Sequence, residues 1–90
     1  MDARARVARN IRRLRVLAGL SQDAFAVDAA IDRTYVSRIE RGMENPTVGV
    51  LESIAKALDV DIVELVSEPP TGRGHLLTLR PGRKPGSKRR

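Results

Sequence analysis

Arg33, Thr34, Ser37 and Arg38 stand at i, i+1, i+4 and i+5, so in a helix they line one strip of the surface. A guanidinium donates in a rigid fork and a hydroxyl both donates and accepts, while no acid falls on the strip itself. This inventory suits hydrogen-bond readout. An arginine fork matches O6 and N7 of guanine in a DNA major groove, and a threonine methyl can rest on that of thymine. Catalysis lacks its parts: there is no cysteine, the single histidine, His75, stands alone, and no carboxylates converge. Such a chain has no acid–base or nucleophilic set, and no metal, cofactor or small-molecule ligand is expected.

The strip needs a helix, and the chain supplies one between Asp32 and Gly42. Residues 33–41 follow Asp32, an N-cap type, and precede Gly42, a residue free to take φ > 0. Val36 and Ile39 give this helix an apolar back. Residues 22–29 form a shorter helix behind Ser21, with Phe25, Ala26 and Ala29 on its lining. Together they make two short helices joined by a tight turn. Residues 3–18 form a first helix, with Val7, Ile11, Leu14 and Ala18 at spacings of four, three and four. Asp2 is its N-cap and Gly19 its stop. Arg4, Arg6, Arg9, Arg12 and Arg13 lie elsewhere on the cylinder and are open to two readings, a solvated face or phosphate contact by one or two of them. Residues 47–58 form a fourth helix capped by Thr47, with Val48, Leu51, Ile54, Ala55 and Leu58 in register, and a fifth runs from Asp61 to Val66. That last helix carries Ile62, Val63, Leu65 and Val66, which spread around its cylinder. So much apolar surface on so short a helix predicts a homodimer seam.

Charge divides the chain. Residues 1–68 hold ten Lys/Arg and eleven Asp/Glu, a net of −1, whereas residues 69–90 hold seven Lys/Arg and no acid, a net of +7. The two parts are read as a DNA-binding domain and a basic Pro/Gly-rich tail. The tail's composition predicts disorder. It can serve as an arm on phosphates, as a minor-groove arm around Arg80–Gly86, or as a solubilising segment, and HLLTL at 75–79 can pair as a strand. With one Phe, one Tyr and no Trp, the chain lacks the stacking platforms of single-strand binders. No run approaches the roughly 18 apolar residues of a membrane span, the N-terminus is not a secretory signal, and absence of cysteine fits a reducing compartment. A cytoplasmic, nucleoid-associated protein is expected, with no membrane partner.

Longer strings carry a resemblance. RRLRVLAGLSQ over residues 12–22, YVSRIERG over 35–42, NPT over 45–47 and LESIAKAL over 51–58 resemble the Cro/C1-type, or XRE, helix-turn-helix regulators, and the length resembles small stand-alone controllers and repressors. The resemblance implies an all-α, compact five-helix fold of the lambda-repressor type. It also implies a third helix in the major groove and dimers on pseudo-palindromic double-stranded operators. Carried over position by position, it implies base contact by Arg33, Thr34, Ser37 and Arg38, with Tyr35 beside them. Phosphate contact falls to Gln22, Arg41 and Asn45, and Arg15 with Glu40 matches an internal salt bridge. One position departs: Ala30 stands where the turn commonly has glycine, and a left-handed backbone there costs on the order of 1 kcal/mol.

The expectation is a sequence-specific, dimeric bacterial or phage-type transcription regulator, and not an enzyme. Two further partners stay open: RNA polymerase, through the acidic face of the last two helices, and a toxin, through the tail. The toxin belongs to the rival reading, an antitoxin-type protein that binds both DNA and a toxin. A protein-binding adaptor without DNA affinity is a second rival.

Overall fold

Four side-chain oxygens start four helices. In the computed structural model, which describes residues 2–69, the Asp2 carboxylate accepts from the Ala5 N–H at 2.8 Å, the Ser21 hydroxyl from Ala24 at 3.0 Å, the Asp32 carboxylate from Thr34 at 2.9 Å and the Thr47 hydroxyl from Val50 at 3.1 Å. Each satisfies a donor that a helix start would otherwise leave unpaired, worth about 1 kcal/mol apiece. The helices so begun are α1 (Ala3–Leu17), α2 (Gln22–Ala29), α3 (Arg33–Glu40) and α4 (Val48–Leu58), followed by α5 (Val63–Val66). The chain is all-α with five helices, and no strand occurs among the described residues.

One device ends the first four helices. Gly19, Ala30, Gly42 and Asp59 all have left-handed backbones, with φ of 75°, 59°, 73° and 59°. Beyond each, an N–H reaches back to a carbonyl five residues earlier: Leu20 to Arg15, Ile31 to Ala26, Met43 to Arg38 and Val60 to Ala55, at 2.9 to 3.1 Å. This is the Schellman arrangement. Glycine takes that conformation freely and aspartate tolerates it, but Ala30 pays a steric penalty from its Cβ.

Phe25, Ile11, Ile54, Leu65 and Val36, one from each helix, are fully buried and form the centre of the core. α1 packs on α5 and α3, and α2 packs on α3 and α4. Two expected core positions lie elsewhere. Ala18 and Val48 are exposed, because each sits at the end of its helix, where the apolar period continues but no neighbouring element among the described residues covers it. The seam residues also divide. Leu65 belongs to the core and Ile62 packs against it, so Leu65 is not available to a partner, whereas Val63 and Val66 are exposed.

α5 is held by a residue that no periodicity marks. Asn10 is fully buried in α1. Its amide donates to the carbonyls of Leu65 at 2.9 Å and Ser67 at 2.8 Å, and its oxygen accepts from Arg13 Nη2 at 3.2 Å. A helix this short cannot stabilise itself, and this clamp fixes its position. Burial lowers the Arg13 pKa, partly offset by the charge of Glu64, and the guanidinium stays protonated.

Candidate nucleic-acid interface

α3 presents the strip. Its back, Val36 and Ile39, is buried, while Arg33 and Thr34 are exposed and Ser37 and Arg38 are half-buried. Tyr35 is half-buried with its ring against the core. Four of these five side chains thus share an accessible face made of donors and hydroxyls.

A polar network beneath fixes the attitude of α3. Arg15 meets Glu40 with two parallel bonds, Nε to Oε2 at 2.6 Å and Nη2 to Oε1 at 3.0 Å, while its Nη1 donates to the Leu20 carbonyl at 2.7 Å. Gln22 Nε2 donates to Glu40 Oε1 at 3.0 Å. One carboxylate therefore joins α1, α2 and α3, and Arg15 ties the linker after α1 to it. The side chains of Arg15 and Glu40 are 12% and 4% exposed, so both charges are largely shielded from water. The bond to Glu40 raises the Arg15 pKa, which leaves the guanidinium charged as before.

The candidate phosphate contacts lie around this platform. Gln22 opens α2, and the network occupies one face of its amide. Its backbone N–H is among the first-turn donors that no helical carbonyl reaches, and the positive end of a helix favours an anion there. Arg41 and Asn45 are exposed beyond α3, and Arg41 Nε donates to the Ser37 carbonyl at 3.3 Å. Tail positions 70–90 lie outside the described residues.

Two acids reach the strip from elsewhere, which the pattern on α3 alone did not reveal. Asp23 of α2 pairs with Arg33 at 3.0 Å, with side chains 77% and 61% exposed. Glu44, in the loop after α3, pairs with Arg38 at 2.6 Å, with side chains 28% and 41% exposed. The signal for Glu44 was present in Gly42, whose left-handed turn sends the chain back toward Arg38.

Comparison with known proteins places these features in a family. The family model described as Helix-turn-helix matches residues 11–65. An HTH-type transcriptional regulator of Sinorhizobium fredii is 43% identical over 75 residues, covering 80% of this chain and 97% of its own. Among solved structures, a hypothetical transcription factor from Neisseria superposes with a TM-score of 0.73 at 41% identity, over 76% of this chain and 78% of its own. The restriction–modification controller protein C.AhdI of Aeromonas hydrophila gives a TM-score of 0.67 at 35% identity, over 69% of this chain and 94% of its own.

Proposed function

The chain belongs to the helix-turn-helix family of transcriptional regulators, and we propose that it reads a double-stranded operator with α3 in the major groove. The observation that carries this is the accessible strip of Arg33, Thr34, Ser37 and Arg38 on a helix whose other side is locked to α1 and α2 through Glu40. In this reading Arg33 and Arg38 contact guanines, Thr34 and Ser37 contact neighbouring base edges, and Tyr35 touches a base or the backbone beside them. Gln22, Arg41 and Asn45 hold phosphates and set the register, carrying position rather than sequence information.

Dimerisation doubles the readout. Val63 and Val66, exposed on α5, supply the seam together with the edge of Ile62. Two copies then address half-sites about one helical turn, roughly 34 Å, apart on one face of the duplex. Where the operator overlaps a promoter, such a dimer blocks polymerase; where it lies upstream, it recruits it.

Selection of bound sequences from a random duplex pool tests the whole reading. It should return an inverted repeat with that spacing. No enrichment would overturn DNA readout, and an asymmetric single site would overturn the dimer. Val63→Gln combined with Val66→Gln should sediment as a monomer, and a persisting dimer would move the seam off α5.

A further inference from the structure

The two arginines of the strip are held differently. Arg33 meets Asp23 across open solvent, with both side chains more than half exposed, and such pairs contribute little and hold geometry weakly. Arg38 meets a partner fixed by the backbone. The Met43 N–H donates to Arg38's own carbonyl and the Gly42 N–H to that of Ile39, both at 2.9 Å. Only glycine takes the turn at Gly42, φ 73°, without strain. Two residues further on, the Glu44 carboxylate accepts from Arg38 Nε at 2.6 Å. That bond engages the stem side of the guanidinium. Neither terminal nitrogen, Nη1 or Nη2, donates to another group among the described residues. The fork is therefore oriented from behind and open in front.

We propose that Glu44 is a positioning residue for base readout: it holds the Arg38 fork in the conformation that engages one base, and thereby sharpens specificity at that base. The proposal rests on the readout assigned to Arg38 above. A free arginine must give up rotamer freedom when it docks, and a pre-oriented one gives up less. Removing Glu44 should therefore weaken discrimination at the Arg38 base by about two- to tenfold. At the same time, loss of a negative charge near the phosphates leaves affinity for unrelated duplex unchanged or raised. Asp23 has no such hold on Arg33, so the base read by Arg33 should tolerate loss of its acid.

The experiment is a binding titration of the full chain on the selected operator and on its single-base variants, with a scrambled duplex as reference. Arg38→Ala first identifies the base that Arg38 reads. Glu44→Ala should then lose discrimination at that base alone, Glu44→Gln should keep most of it because its amide oxygen still accepts the Nε–H, and Asp23→Ala should leave it unchanged. If Glu44→Ala discriminates as the parent does, or binds the operator more tightly with discrimination intact, Glu44 masks or merely neighbours Arg38 and the proposal is overturned. A loss spread evenly over all positions would mark a structural role and overturn it as well. Failure of Arg38→Ala to change any base preference is a separate result: it removes the readout assignment itself, and Glu44's role with it.

Discussion

At the residue scale, the attitude of α3 depends on one carboxylate. Glu40 receives Arg15 and Gln22 and is 4% exposed, so its charge is tolerable only while it is paired. Breaking a buried pair from one side costs far more than the pair contributes when intact, about 3–5 kcal/mol. Arg15→Ala should therefore lose that much in a urea titration, and a loss below about 1 kcal/mol would show that water or Gln22 compensates. The Arg15 and Glu40 pairing was legible only through resemblance, since the partners stand 25 residues apart and no local rule joins them. Asn10 was not legible at all. An isolated asparagine in an Arg-rich helix looks solvent-facing, and only the end of α5 folding over it turns it into a buried clamp.

At the element scale, the helix starts were legible because capping is local: Asp2, Ser21, Asp32 and Thr47 each stand within three residues of the N–H they bind. The ends were legible where glycine marked them, at Gly19 and Gly42, and hidden at Asp59, where an aspartate adopts the same left-handed turn. Apolar periodicity overran the core at Ala18 and Val48 because it describes a face and says nothing of whether another element reaches it. Ala30 is where sequence and fold disagree. Its φ of 59° places a Cβ in a conformation that costs roughly 1–2 kcal/mol. Glycine relieves that cost while losing about 0.5–1 kcal/mol to the entropy of the unfolded chain. Ala30→Gly should thus stabilise the domain by about 0.5–1 kcal/mol in thermal or denaturant melts. A loss of stability would mean that the turn is held by contacts its backbone angles do not reveal.

At the scale of the whole molecule, the proposed readout and the bulk positive charge are separated along the chain. The proposed readout strip lies within residues 1–68, whose net charge is −1, while residues 69–90 carry +7. Sequence-independent affinity scales with the phosphates neutralised, about 0.9 in the slope of log K against log salt for each. Deleting residues 69–90 should flatten that slope and leave the consensus unchanged; an altered consensus would instead assign the tail to base readout in the minor groove. The central claim is that α3 lies in the major groove with Arg38 on a guanine. Guanine N7 projects into that groove, so methylation interference tests the claim most directly. Methylation at N7 of one guanine in each half-site should block binding by the parent chain and become indifferent to Arg38→Ala. Interference confined to minor-groove methylation of adenine, or a guanine signal untouched by Arg38→Ala, would contradict it.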